Sequence, residues 1–309
     1  MTGRAGPAAS AYRGTSTDRE ARGTLIAALW MVGAIASFAT MAVAGRELST
    51  ELDTFEIMAY RSALGFPVIV ALMAVGEGLG RARTRLWREH GLRNVIHFSA
   101  QNAWFYGIAM IPLAQLVALE FTNPIWVVLL APLLLAERLT RSAVLAALIG
   151  FVGILIVARP GLEPLGLGHA AGLFAAIGFA FTNIFTKRLS REDSALCVLF
   201  WMTLSQAVMG VLCALPGGMT WPSDALIPWV LLVGLCGLTA HFSLTRALFA
   251  APASVVAPME FMRLPVIAAA GAVLYGEQLE IAVFVGAGII LAGNIIGIRA
   301  RQKAAKEGA

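Results

Sequence analysis

Residues 112–159, PLAQLVALEFTNPIWVVLLAPLLLAERLTRSAVLAALIGFVGILIVAR, return 140 positions later as residues 252–299, PASVVAPMEFMRLPVIAAAGAVLYGEQLEIAVFVGAGIILAGNIIGIR. No gap is needed. Pro112 aligns with Pro252, Glu120-Phe121 with Glu260-Phe261, Glu137 with Glu277, Leu139 with Leu279, Gly153 with Gly293 and Arg159 with Arg299. Two oily segments share leucines and alanines by composition alone. Matched carboxylates in such surroundings do not arise that way. Internal repetition in a membrane chain is the mark of a transport scaffold.

The surroundings are those of a membrane chain. Of 309 residues, 59% are hydrophobic and only 13% charged, against about 25% charged in soluble domains. Apolar runs of roughly 17–25 residues can cross a bilayer. Ten such spans are expected: about 23–44, 55–75, 94–111, 113–136, 142–158, 166–186, 195–215, 225–248, 253–276 and 281–298. The joins between them, such as Arg159-Pro160-Gly161 and Pro216-Gly217-Gly218, leave no room for a soluble domain. The expected fold is an all-α integral membrane protein of ten transmembrane helices. Its parts are a disordered tail at 1–22, a first repeat at 23–159, a second at 160–299 and a short tail at 300–309.

Charge placement orients the chain. With ten spans, nineteen of the 23 Lys and Arg residues fall on one side and only Arg46 and Arg159 on the other, with Arg61 and Arg263 left within the membrane. The basic side faces the cytoplasm, so both termini are expected there, in a multi-pass bacterial inner membrane protein. The net charge of +5 follows from this asymmetry and calls for no nucleic-acid partner. The first apolar run spans without a cleavage site, so no removed leader is expected. Cys197, Cys213 and Cys236 have no metal or disulfide spacing and read as packing residues. No cofactor is indicated. Each repeat holds five spans, an odd number. The second copy therefore enters the membrane from the opposite side, and the repeat is inverted.

Charged residues near a bilayer centre cost about 2.5–3.5 kcal/mol each on insertion scales. Glu120 and Glu260 each lie about four residues from the middle of a span, roughly 6 Å from the midplane and on opposite sides of it. Arg263 shares a helical face with Glu260, where an ion pair can form. Arg61 lies at nearly the depth of Glu120 and is expected to meet it as a structural ion pair. Gln101, Asn102, Trp104, Asn183 and His241 add polar and aromatic groups at similar depth, with Asn294 further along. Two readings are open: a substrate or coupling site, or ion pairs and hydrogen bonds that fix helix packing. His241 is open between a proton relay and a packing residue. Small residues at Ala146/Gly150 and Gly293/Gly297 permit close helix approach, within a repeat or in a homodimer.

The stretches "ALEFTNPIWVVLLAPLLLAERLT", "GFVGILIVARPG", "APMEFMRLPVIAAAGAVLYGEQLE" and "GAGIILAGNIIGIR" resemble the drug/metabolite transporter superfamily, specifically its EamA-type members. The likeness covers roughly residues 23–299. The family's Gly-Glu step stands here as Gly276-Glu277, while the first copy has Ala136-Glu137. The resemblance implies ten helices, cytoplasmic ends and a central cavity lined by the first, third, fourth, sixth, eighth and ninth spans. Glu120, Gln101, Asn102, Trp104, Asn183, His241, Glu260 and Arg263 all lie on those spans. Arg61 does not.

The function expected is secondary transport of a small polar or amphipathic metabolite by alternating access, with a proton or counter-substrate as candidate coupling partner. No nucleotide-binding loop is present. Acids for an ammonium group and Arg263 for a carboxylate favour amino acids or related amines. An intramembrane enzyme acting on a lipid-linked substrate, and a membrane adaptor without transport, are the alternatives. The first lacks clustered acids or a His pair at a membrane face.

Overall fold

The computed structural model describes residues 16–76, 78–135, 141–159, 165–189, 191–250, 256 and 259–307. Its α-helices are α1 Ser16–Leu48, α2 Thr54–Val75, α3 Trp87–Met110, α4 Leu113–Glu120, α5 Asn123–Leu135, α6 Arg141–Ala158, α7 Leu167–Leu189, α8 Ala195–Ala214, α9 Ile227–Ala250, α10 Arg263–Tyr275 and α11 Ile281–Glu307. No strand occurs among the described residues. A chain this apolar must satisfy its backbone internally, and helices do so within each segment.

Among the described residues five helices are long and apolar enough to cross a membrane, corresponding to α1, α2, α7, α8 and α9. The third, α3, is not among them because it carries His90, Arg93, Asn94, His97, Gln101 and Asn102, all buried. The molecule is polar along parts of its interior and oily outside: Leu29, Val32, Leu148, Phe151, Leu212, Val273 and Ile281 are exposed. That distribution suits lipid as the surrounding solvent. The chain is a multi-pass membrane protein.

Local signals set several ends. Asp53 accepts the Glu56 N–H and Glu56 accepts the Asp53 N–H, a reciprocal cap that starts α2. Ser194 caps α8 through the Cys197 N–H. Gly276, at φ 66°, ends α10 in the left-handed conformation. At the chain's start, α1 begins at Ser16, inside the stretch expected as tail. At its end, α11 continues to Glu307, past the expected stop.

The runs expected as the fourth and ninth spans are interrupted. The fourth breaks at Phe121-Thr122 between α4 and α5, and the ninth turns at Phe261-Met262 before α10. The breaks lie at the same place in the two repeats. Each precedes a proline, Pro124 or Pro265, which lacks an N–H and crowds the carbonyl four residues back. Freed backbone groups find other partners. The Thr122 hydroxyl donates to the Leu119 carbonyl, and Asn294 Nδ2 donates to the Phe121 carbonyl at 3.2 Å.

Packing runs mainly across the repeats. Helix α1 packs on α9, and its repeat counterpart α7 packs on α3. The corresponding helices α2 and α8, and α6 and α11, pack on one another, and α4 of the first repeat packs on α10 of the second. Phe121 and Phe261, equivalent residues at the two breaks, stack with ring centroids 4.2 Å apart. Gly150 faces Ile125 within the first repeat, whereas Gly153 and Gly286 bring α6 and α11 together across the repeats.

A Cβ at Gly286 would sit 2.8 Å from the Gly153 carbonyl oxygen and 2.6 Å from Val157 Cγ2. Backbone cannot yield as a side chain does. Gly286→Ala is expected to destabilise by about 1–3 kcal/mol. Gly288→Ala is the control, since nothing lies within 4 Å of its would-be Cβ. Melting temperatures of the two purified variants check this; equal values would refute the tight crossing.

Candidate functional site

The two helix breaks bring one opposite-charge pair together. Glu120 is the last residue of α4 and Arg263 the first of α10. Arg263 Nη2 donates to Glu120 Oε1 at 2.7 Å, and Trp104 Nε1 donates to Glu120 Oε2 at 3.0 Å. A helix C-terminus disfavours an anion and an N-terminus disfavours a cation. Neither charge suits its own helix, so each depends on the other. The Arg263 guanidinium lies over the rings of Phe38 at 4.9 Å and Phe121 at 5.0 Å. Its Nε is buried without a partner.

Glu260 is half-buried and within electrostatic reach of Arg263 and Glu120. Among the described residues no hydrogen bond or ion pair reaches its carboxylate. The pairing of Arg263 is therefore with Glu120 of the other repeat, not with Glu260 on its own.

Arg61 corrects a second expectation. Its Nη1 donates to Gln101 Oε1 at 2.6 Å and contacts the Met58 sulfur at 3.7 Å; it does not meet Glu120. The guanidinium crosses α9 at Gly237, where an added Cβ would lie 2.6 Å from Arg61 Nε. A glycine there admits the cation to α9. Depth alone suggests Glu120 as partner. Packing of α2 on α9 turns the side chain toward α3 instead.

Further polar groups line the same interior. His241, one turn beyond Gly237, sets its ring edge-on to Phe38 at 5.5 Å, with Nε2 unpartnered. Both ring nitrogens of His97 are buried without partners, as are Asn102 Oδ1 and Gln206 Nε2. His97, His241, Arg61 and Arg93 lie within electrostatic range of one another. A buried polar atom without a hydrogen bond costs about 1–3 kcal/mol. Several together form a strip of unspent recognition capacity.

Glu120, Trp104, Arg263, Gln101 and His241 thus fall in one connected region. Asn102 is buried but bonds back to the Phe98 carbonyl of its own helix. Asn183 is exposed and donates to Asn123 Oδ1, while Asn123 donates to the Ala176 carbonyl. Asn123 is the repeat counterpart of Arg263, so the two breaks are braced differently. His97 and Gln206 are absent from the sequence expectations, and Arg93, expected only as one of the basic residues of the cytoplasmic side, is buried. His97 precedes Gln101 by four residues, a same-face spacing that could have revealed it.

Clusters of polar contacts tie the repeats together at both ends of the bundle. At the α1–α2 end, Arg46 Nη1 meets Glu277 Oε1 at 2.6 Å and Arg46 Nε donates to the Ile108 carbonyl at 2.7 Å. Glu277 also accepts the Leu113 N–H that opens α4. Its repeat counterpart Glu137 lies outside the described residues. At the same end Glu51 accepts from the Ser223 hydroxyl and N–H. At the α2–α3 end, Thr84 and His90 meet Asp193, and Arg188 meets Glu89.

The Glu51 contact gives a pH prediction. The Ser223 hydroxyl, then its N–H, hold the Glu51 carboxyl below its usual range. A depressed folded-state value contributes stability above the unfolded value, about pH 4.3, and loses it as pH falls through the lower folded value. Glu51→Gln is expected to lower the melting temperature slightly near neutral pH and to converge on the wild type in acid. A constant difference across that range would refute the assignment.

A model described as the EamA-like transporter family matches residues 25–159 and again 166–298. A riboflavin transporter of Rhizobium johnstonii is 28% identical over 92% of this chain and 95% of its own. An S-adenosylmethionine uptake transporter of Rickettsia bellii is 25% identical over 89% of this chain and 94% of its own. An uncharacterized transporter of Helicobacter pylori is 31% identical over 72% of this chain and 77% of its own. A solved crystal structure superposes with a TM-score of 0.61 at 20% identity, over 89% of this chain and 98% of that one. That likeness concerns the fold.

Proposed function

The chain belongs to the EamA-like transporter family, and from that membership we propose that it carries a small ring-bearing, acceptor-rich metabolite across the bacterial inner membrane by alternating access. In this reading ten spans form two inverted halves with both termini in the cytoplasm. Exchange of conformation between the halves opens the central region first to one side and then to the other. The observation that carries the reading is the Glu120–Arg263 pair, made between the two repeats where both helices break. Interrupted helices at equivalent positions of two repeats are where transporters of this kind bind their cargo.

The substrate class shifts from the expectation. Glu120 is neutralised by Arg263 and so is not free to bind an amine, and Glu260, the remaining acid, lies within electrostatic reach of the same guanidinium. Two buried guanidiniums, Arg61 and Arg93, have uncharged hydrogen-bond partners, Gln101 for one and Thr186 and Asn94 for the other. Donors of that kind, together with the rings of Phe38, Trp104 and Phe121 around the Glu120–Arg263 pair, suit a flat ring carrying carbonyl or ring-nitrogen acceptors. The relatives named for a ligand carry riboflavin or S-adenosylmethionine, and both compounds contain a fused heteroaromatic ring system. The relatives matched over most of the chain are named transporters, and no observation favours an enzyme or an adaptor.

The test is a melting-temperature screen of purified protein against flavins, nucleosides, S-adenosylmethionine, amino acids and amines. Compounds that stabilise then go to counterflow in proteoliposomes at two pH values, with Glu260→Gln alongside. Ring compounds are expected to raise the melting temperature and exchange. Stabilisation by simple amines alone would reverse the substrate class. Normal exchange by Glu260→Gln at both pH values would remove Glu260 from the coupling machinery.

A further inference from the structure

A cluster at the α2–α3 end stands apart from the central region and is not used by the transport reading. One ring nitrogen of His90, one carboxylate oxygen of Asp193 and Cys197 Sγ all lie within 4.8 Å of one another, and His90 Nε2 meets Asp193 Oδ2 at 2.8 Å. They come from three segments: the first turn of α3, the α7–α8 connection and the first turn of α8. His90 and Cys197 are 2% and 1% exposed. Thr84 Oγ1 donates to Asp193 Oδ2 at 2.7 Å and fixes that carboxylate. The Ala82 carbonyl lies 3.9 Å from Cys197 Sγ and accepts from Trp201 Nε1 at 2.9 Å. His90 Nδ1 is buried without a partner, so its pair with Asp193 leaves the ring half satisfied.

We propose that His90, Asp193 and Cys197 form a three-ligand site for a zinc-like divalent cation that clamps the two repeats together. One nitrogen, one oxygen and one sulfur is a donor set that favours zinc over magnesium or calcium. Bonds of about 2.0–2.3 Å in a tetrahedron put ligand atoms about 3.3–3.8 Å apart. Reaching this needs the 2.8 Å His90–Asp193 hydrogen bond to open by about half an ångström and the Cys197 sulfur, within 4.8 Å of both, to close by up to about one. Binding releases the Cys197 proton to solvent and moves the imidazole proton from His90 Nε2 to Nδ1, which leaves a neutral imidazole, a carboxylate and a thiolate around the ion. The fourth position falls to water or the Ala82 carbonyl. His90 belongs to the first repeat, Asp193 and Cys197 to the second. A bound ion would therefore hold this end shut and slow any cycle in which the halves separate there.

The experiment uses the full chain in detergent with any affinity tag removed. Cobalt(II) is titrated as a coloured probe and then displaced with zinc. One equivalent should bind with a thiolate-to-metal absorption band in the near ultraviolet, and zinc should raise the melting temperature. Cys197→Ser should abolish the band, and His90→Gln and Asp193→Asn should each weaken binding at least tenfold. The Cys213→Ser/Cys236→Ser double variant should bind as the wild type does. Metal-free melting curves show whether each variant folds; if Cys197→Ser does not, His90→Gln decides. Absence of stoichiometric binding, or binding unchanged in Cys197→Ser and His90→Gln, overturns the site. Zinc that binds the wild type but leaves its exchange rate in proteoliposomes unchanged overturns the clamp.

Discussion

Arg263→Met is expected to destabilise the protein by about 3–5 kcal/mol and to abolish transport, because it strands a carboxylate inside the bundle. Glu120 then keeps one donor, Trp104 Nε1, and stands at the C-terminal end of α4, where the helix dipole repels it. Glu120→Gln strands the opposite charge, yet Arg263 retains the faces of Phe38 and Phe121, so its loss should be the smaller. The informative variant is the double one, Glu120→Gln/Arg263→Met. Removing both members of a buried pair is often neutral or stabilising, and the amide oxygen that replaces the carboxylate can still accept from Trp104. Stability should therefore return to near the wild-type value. If the pair only fixes helix packing, transport returns with it. If the pair opens to receive cargo or to let the halves part, transport stays at least a hundredfold down. Melting curves and proteoliposome exchange on the three variants decide. Wild-type exchange by the double variant would reduce the pair to scaffolding.

This same pair marks how far the sequence alone reaches. Glu120 and Arg263 are both visible as charges deep in apolar runs, and the 140-residue offset marks Arg263 as a place where the copies differ. Their partnership is not visible. Arg263 has Glu260 three residues away on its own helix face, the nearest acid in sequence. What changes the partner is the break at Phe261-Met262, which resets the direction of the chain between Glu260 and Arg263. Pro124 and Pro265 are available signals for the breaks, but each lies in a run apolar enough to read as one continuous span. Arg61 fails for a related reason. Depth places two residues on one level, but rotation about the helix axis decides which neighbour a side chain meets. That rotation depends on packing such as the Gly237 notch, which no periodicity reports. In sequence the third span begins at 94, since only its apolar part has the signature of a span. Its polar first turns carry His90 and Arg93, which are buried by α7 and α8 rather than by lipid.

Glu277→Ala is expected to have the second large effect, on both stability and the balance between open and closed forms. Glu277 is a hub at the α1–α2 end. It pairs with Arg46 of α1 at 2.6 Å, accepts the N–H of Leu113 at the start of α4, and folds back on Gly271 of α10 so closely that no Cβ fits there. An anion at the N-terminus of α4 is favourable, and an arginine beside it adds a charge-assisted hydrogen bond. Truncation leaves Arg46 with two backbone carbonyls and the face of Tyr275 but no counter-charge, and should cost about 2–5 kcal/mol. Glu277→Gln keeps the hydrogen-bonding shape and loses the charge, so its loss of stability should be smaller. The functional consequence follows from where the contact lies. Arg46 and Leu113 belong to one repeat and Glu277 to the other, so this clasp must part whenever the halves separate at this end. Weakening it by about 1.4 kcal/mol shifts the open-to-closed ratio about tenfold. With Cys197, Cys213 and Cys236 replaced, a single cysteine introduced by Ala44→Cys reports the shift, because Ala44 is fully buried in α1 near the clasp. Glu277→Gln should raise its alkylation rate about tenfold while the protein remains folded. An unchanged rate in a folded variant would mean that the clasp staples the bundle and takes no part in access.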